Sequence, residues 1–483
     1  MSVRNALLLT AVIPILALNA CAVGPNYKRP SVETPPAFKE AEGWTPAKPA
    51  DAVDKGDWWT MFDDPLLNSL ESKVNVSNQT IIADEAAYRE ARALVAQQRA
   101  SLFPVVTATG SATRQHQPGA GGAQVTSSGQ VVTGKGGGGI NEFQIGVGAT
   151  WAPDLWGQIR RTIENAKDQA QVSDATLANA RLTLQSELAT DYVQLRIADA
   201  QKDLLRRTAE GYARSLKITQ NQYAAGTAAS SDVATAETTL TNAQAALVDL
   251  ETQRAADEHA IAVLTGQAPS DLTITPDPNW TPKVPQTPAA LPATLLQRRP
   301  DVAIAERAAA AANAEIGVAV AGYFPTLDLS ASGGYANTAI QELIRSSSTL
   351  WSLGSNVSET VFNAGATHFK IKQAKAAYDE AVANYRQAVL TAFQQVEDNL
   401  AADHVLQDEE PLRVQASKSA DKAEQVTLNQ YRAGTVAYTS VVVAQATALS
   451  ARETLLTLQG QRMTTAISLV EALGGGWSGK TVG

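Results

Sequence analysis

The stretch of this chain that comes nearest to spelling chemistry is GQVVTGKG at 129–136. A phosphate loop needs a Ser or Thr directly after its lysine, and a helix opening there to receive the phosphates. Here Gly136 follows Lys135 and more glycines follow it, so the likeness is an accident of a Gly-rich segment. The four histidines, at 116, 259, 368 and 404, have none of the spacings that gather ligands around a metal. Acidic runs such as DEE at 408–410 read as solvated helix faces. No catalytic residue, metal site or cofactor is assigned on this basis. A net charge of −9, with no Lys/Arg run longer than two, also argues against a nucleic-acid partner.

One residue does promise covalent chemistry. Cys21 is the only cysteine, so it cannot form an internal disulfide. It closes MSVRNALLLTAVIPILALNAC, in which one early cation, Arg4, precedes an apolar stretch from Ala6 to Leu18. That stretch is too short for a spanning helix and has the size of a signal-peptide core. With Leu18 and Ala20 before the cysteine, residues 1–20 read as a lipoprotein signal and Cys21 as the lipidated residue, Asn19 being a mild departure. Cleavage removes Arg4 and takes the net charge from −9 to −10. No later apolar run reaches 18 residues, so a membrane would be entered by lipid or by β-strands.

The elements that would have to position any site are written twice. NQYAAGT at 221–227 returns as NQYRAGT at 429–435, an offset of 208. The same offset carries Gly157 onto Gly365, Ala166-Lys167 onto Ala374-Lys375 and Gly266 onto Gly474. Upstream, Phe103-Pro104 matches Phe324-Pro325 at an offset of 221, which places a 13-residue insertion in the Gly-rich segment 117–139, read as a surface loop. The chain therefore divides into a Pro-rich strap at 21–65, a first repeat at 66–266, a Pro-rich linker at 267–300, a second repeat at 301–476 and a tail at 477–483.

Each repeat changes period in the same order. A helix over 66–102 leads to a β-hairpin at about 104–152, in which Phe143, Ile145, Val147, Ala149 and Trp151 alternate with Gln144, Gly146, Gly148 and Thr150. The second hairpin, about 325–362, sets Leu327, Leu329, Ala331 and Tyr335 against Asp328, Ser330 and Ser332; Glu359 falls on its apolar face. Long helices follow, 158–223 and 366–431, the second expected to be interrupted and kinked at Pro411. Shorter helices at about 228–264 and 436–472 come after the heptapeptides, and length arithmetic suggests that a stacked pair of short helices lies beside each long one. The fold class is α+β. Four strands cannot close a barrel, whereas three chains would supply twelve. A small sheet packed in a lipid-anchored periplasmic coiled-coil scaffold is the competing reading.

CAVGPNYKRP (21–30), WWTMFDDPLLNSL (58–70), LLQRRPDV (295–302), VLTG (263–266) and the paired heptapeptides resemble the TolC-like outer-membrane factors, more closely their lipoprotein branch. The resemblance covers essentially the whole mature chain. It implies a homotrimer with a twelve-stranded outer-membrane barrel, a periplasmic α-helical barrel and an equatorial belt. It further implies a passive exit duct, opened by a periplasmic adaptor and fed by an inner-membrane transporter of the resistance-nodulation-division type. By the same resemblance the heptapeptides form the periplasmic tips, with Tyr223, Asp232, Tyr431 and Arg432 tying neighbouring tips together. Gly226 and Gly434 fit left-handed helix ends, with Thr227, Thr435 and Ser230-Ser231-Asp232 as cap candidates for the next helix. Relatives often carry aspartates where this chain has Ser440 and Val443, so its constriction departs from theirs. Ducts for type I protein secretion or metal-ion efflux remain alternatives within transport.

Overall fold

The computed structural model describes residues 22–32, 39, 55–115, 123–125, 131–133, 140–277, 280–285 and 299–475. Cys21 and the signal segment lie outside them. The described helices are α1 (Pro65–Ser77), α2 (Gln79–Ala100), α3 (Gln158–Ala224), α4 (Ser230–Leu264), α5 (Pro300–Ala321), α6 (Ala366–Arg432) and α7 (Tyr438–Ala472). The strands are β1 (Val105–Gln115), β2 (Ala123–Val125), β3 (Val131–Thr133), β4 (Ile140–Trp151), β5 (Thr326–Asn337) and β6 (Thr349–Ser358).

Duplication is visible in backbone geometry. Helices α3 and α6 have 67 residues each, α4 and α7 have 35, and α2 and α5 have 22. The glycines paired by the 208-residue offset share left-handed backbones: Gly157 and Gly365 at φ +85° and +83°, Gly226 and Gly434 at +71° and +75°, Gly266 and Gly474 at +72° and +81°. A side chain is disfavoured in that conformation, so the sequence keeps glycine at these helix ends.

Four local readings need correction. The single helix expected over 66–102 is broken at Asn78, whose ψ of 125° is extended. Its Oδ1 accepts from the Thr80 and Ile81 amides and starts α2 afresh, while its Nδ2 donates to the Leu264 carbonyl at the end of α4. Pro411 does not interrupt α6, which runs continuously from Ala366 to Arg432 although the ring removes one helical donor. Within the expected Gly-rich loop, β2 and β3 form an antiparallel ladder. The Pro-rich strap gives way before residue 65 to a 3-10 helix, Lys55–Phe62, whose Trp58, Trp59 and Phe62 are buried in a folded core.

The described residues fall into two compact units, each drawing on both repeats. One comprises residues up to Pro30 with Arg89–Ala170 and Arg307–Val382. It holds an antiparallel sheet of order β1-β4-β5-β6. Directly paired residues share a face, so the register sets Val106, Ala108, Ile145, Val147, Trp151, Leu327, Leu329, Trp351, Leu353 and Val357 on one side. Thr107, Thr109, Gln144, Thr150, Asp328, Ser330, Ser332, Ser352 and Asn356 occupy the other. The apolar side is bare within the chain: Trp351 is 74% exposed, Leu353 75% and Val357 68%. Glu359 lies one residue past the end of β6, outside the ladder, so it does not spoil this face.

The second unit takes Ser31–Tyr88, Gln171–Glu306 and the chain from Ala383 onward. Its main core packs Trp59, Leu67, Leu70 and Val74 against Leu188, Tyr192, Val193, Ile261 and Ile467. The start of the linker is clamped onto α3 and α4. Arg254 donates to the Ile274 carbonyl and Arg196 to the Thr275 carbonyl, while Asp199 pairs with both arginines. No helix among the described residues is long and apolar enough to cross a membrane.

Candidate functional site: the paired hairpin tips

Each heptapeptide closes a long helix by the same construction. The Thr227 amide donates to the Gln222 carbonyl at 2.9 Å and the Gly226 amide to the Tyr223 carbonyl at 2.9 Å. At the second tip Thr435 donates to Gln430 at 3.0 Å and Gly434 to Tyr431 at 2.9 Å. These bonds satisfy carbonyls that a helix end otherwise leaves open. The threonine hydroxyls reinforce them, Thr227 Oγ1 on the Gln222 carbonyl and Thr435 Oγ1 on the Gln430 carbonyl, both at 3.0 Å. Thr227 and Thr435 therefore finish the preceding helix and do not cap the next one, because each hydroxyl turns back toward the helix it has just left.

The caps of the following helices differ between tips. Ala229 and Ala437 hold the N-cap positions and have no side-chain acceptor to offer. In α4, Asp232 compensates by reaching back to accept from the Ala229 amide at 3.3 Å. It also places an anionic group where the helix dipole favours one. In α7 the corresponding residue is Ser440, whose amide donates to the Ala437 carbonyl and which has no carboxylate to reach back with. Ser440 and Val443 lie one turn apart and exposed, Val443 at 66%.

The two tyrosines part company. Tyr223 is 52% exposed, whereas Tyr431 is 6% exposed. Tyr431 packs with Tyr438 at a ring separation of 5.2 Å, in a cluster with Ala236, Val441, Leu216 and Leu428. Its hydroxyl donates to Thr219 Oγ1 at 3.2 Å, and one turn earlier on α3 Ser215 Oγ accepts from Gln445 Nε2 at 3.1 Å. Both bonds join the α3–α4 hairpin to the α6–α7 hairpin of the same chain. Burial, followed by the nearby Tyr431, Tyr212 and Asp232, pushes the Tyr438 hydroxyl up to about 12, so it stays neutral. Arg432 is exposed in the last turn of α6.

Sequence reasoning named Tyr431 but missed Thr219, Ser215, Tyr438 and Gln445. Small polar residues in a long helix carry no signal of their own. Tyr438, seven residues past Tyr431 across the tip turn, was the one findable partner.

Two hairpins with matched tips, on a chain whose sheet offers a bare apolar face, match a described family over most of their length. The model of the outer membrane efflux protein family covers residues 70–267 and 291–475. The chain belongs to that family. Among relatives of this efflux protein, the probable efflux pump outer membrane protein TtgC of Pseudomonas putida strain KT2440 is 29% identical over 482 residues, spanning 98% of this chain and 96% of TtgC. The cation efflux system protein CusC of Escherichia coli O6:H1 is 27% identical over 469 residues, spanning 96% and 97%. A solved structure of the outer-membrane channel OprN superposes with a TM-score of 0.85 at 30% identity, over 95% of this chain and 100% of that one. The efflux protein thus has the TolC-like fold of the outer-membrane channels.

Proposed function

We propose that three copies of this chain form a passive exit duct of a tripartite efflux pump in the outer membrane. Their twelve strands close a barrel around the polar sheet face, and the acylated Cys21 adds a lipid anchor. A periplasmic adaptor engages the hairpin tips, and an inner-membrane transporter of the resistance-nodulation-division type supplies both cargo and energy. The duct itself carries out no catalysis. Its resting closure is kept by the bonds that hold the two hairpins of each chain together, Tyr431–Thr219 and Gln445–Ser215. Tyr223 and Arg432 are left to meet the neighbouring copies, and Asp232 joins them with the carboxylate oxygen that does not accept from the Ala229 amide. Gly226, Thr227, Gly434 and Thr435 shape the tips, and Ser440 with Val443 makes the constriction less acidic than in relatives with aspartates there.

The observation that carries this reading is the open amphipathic sheet. A sheet packed in a water-soluble scaffold buries its apolar face, but here Trp351, Leu353 and Val357 face outward uncovered. The outer strands β1 and β6 each have only one partner among the described strands. Unpaired edges inside a bilayer are forbidden by the cost of bare backbone groups, which closure by further copies removes.

Cysteine pairs placed along β1 and β6 test this in the outer membrane. Oxidation is expected to link β1 of one copy to β6 of the next and to end at a covalent trimer. Absence of any β1–β6 link, or a ladder of products continuing past three, contradicts closure by three copies.

A further inference from the structure

The residues directly after Cys21 are held by a built site that occurs once among the described residues of this duplicated chain. The Val23 amide donates to the Trp156 carbonyl at 3.0 Å. Arg161, buried at 3% exposure, donates from Nε to the Val23 carbonyl at 3.2 Å and from Nη2 to the Gly24 carbonyl at 3.3 Å. The same Nη2 reaches Asn26 Oδ1 at 2.8 Å, and Nη1 is neutralised by Glu164 at 2.6 Å. Asn313, 4% exposed, donates to the Pro25 carbonyl at 3.1 Å. The carbonyls of residues 23, 24 and 25 are all taken, two by a guanidinium on α3 and one by an amide on α5.

Three glycines make the approach possible. Gly24 has φ +93°, and a Cβ on it would come within 2.5 Å of the Gly317 Cα. A Cβ on Gly157 would meet Ala22 at 2.6 Å, and one on Gly317 would meet the Arg161 side chain at 2.8 Å. The segment supplies three of the four acceptors of this guanidinium, so docking satisfies a charged group that it also covers.

The internal duplication supplies a control. The offsets that superpose the repeats carry Arg161 to Phe369, Trp156 to Ala364, Asn313 to Arg92 and Gly317 to Ala96. Phe369 is 63% exposed and cannot donate a hydrogen bond. One copy of the site has been shaped to take an extended peptide, matching the single N-terminal segment that each chain possesses.

We propose that Arg161, Asn313, Gly157 and Gly317 form a docking cradle that reads the backbone of Ala22–Asn26 and holds this segment against the turn that follows β4. The consequence for the lipid rests on Cys21 being acylated, as proposed above: the acyl chains are then held at a set depth relative to the sheet. Docking itself reads carbonyls and small residues, so it does not require the lipid.

Timed trypsin cleavage after the exposed Lys28, in the detergent-solubilised full chain, reads the dock directly, with the N-terminal fragment weighed by mass spectrometry. Gly24→Ala changes only the docking segment, so the body still folds, and cleavage is expected to accelerate by about tenfold or more as the segment is released. Arg161→Ala should do the same. Cys21→Ser should leave cleavage as slow as in the wild type. The cradle is overturned if Gly24→Ala leaves the rate unchanged, or if Cys21→Ser accelerates it as much as Gly24→Ala does. A wild-type fragment that is protected yet carries no lipid supports the cradle and overturns only the lipidation reading.

Discussion

Tyr223 and Tyr431 occupy the same place in the same seven-residue phrase, yet one is exposed and the other buried. The difference lies outside the phrase, in Thr219 and Tyr438, which give Tyr431 a hydroxyl to bond and a ring to pack against. A residue's neighbours in space decide its role, and neither tyrosine could be assigned from its heptapeptide alone. Glu71 makes the point more severely. It is fully buried on α1, beside Leu67, Leu70 and Val74, and neither carboxyl oxygen has a hydrogen-bond partner among the described residues. Burial alone pushes its carboxyl up to about 9, so it is held neutral. The folded-state value is raised, so the folded chain keeps a proton that the unfolded chain loses above about pH 4.5. Stability from this group is complete below that pH, declines at up to about 1.4 kcal/mol per pH unit as the pH rises, and levels off above about pH 9. Glu71→Leu is expected to remove that slope and to stabilise the unit by about 3 kcal/mol at pH 7. Thermal unfolding in detergent between pH 5 and 9 checks it. An unchanged pH slope in the variant would show that Glu71 is not the titrating group.

At the scale of elements, the two repeats use different residues for one joint. Asn78 donates to the Leu264 carbonyl where α4 meets the start of α2, and Arg299 donates to the Ala472 carbonyl where α7 meets the start of α5. The offsets that align the repeats carry Asn78 to Arg299 and Leu264 to Ala472, so the joint has survived while its chemistry changed. Arg299 is also tied to Asp301 by two bonds and to Gln395 by one. Arg299→Ala is therefore expected to cost about 2–3 kcal/mol, since it removes the guanidinium and leaves the Ala472 carbonyl and Gln395 without its bonds while Asp301 stays partly solvated. Arg299→Lys should recover less than half, for lack of the planar fork. Asn78→Ala should cost about 2 kcal/mol through a lost N-cap and a lost carbonyl partner. Urea midpoints of the three variants order these effects; Arg299→Lys equal to wild type would refute the role of the fork.

Much at this scale was legible beforehand, because a 208-residue offset between glycines survives any drift of the residues between them. The break at Asn78 was not, since Asn inside an apolar-periodic segment differs little from an exposed helical residue until its side chain is seen to cap. Continuity through Pro411 was misread for a related reason. A proline predicts a lost bond and a clash, but α6 is also held to α7 by Glu410 with Arg462 and by Arg452 with Asp421 and Glu424, and those contacts span the site. The inter-hairpin bonds at Thr219 and Ser215 were beyond any pattern in one helix, because they exist only once two hairpins lie side by side.

For the whole molecule, the sheet and the tips point to one purpose. The sheet has one apolar and one polar face, and the tips expose unlike groups, Tyr223 at one and Arg432 at the other. The most direct test is conductance of the purified trimer across a planar bilayer. The wild type is expected to show small, passive, steady steps, and Arg432→Ala or Asp232→Ala is expected to raise them severalfold by loosening contacts between copies at the tips. A correctly folded trimer that conducts nothing, in the wild type and in both variants, would contradict the exit duct.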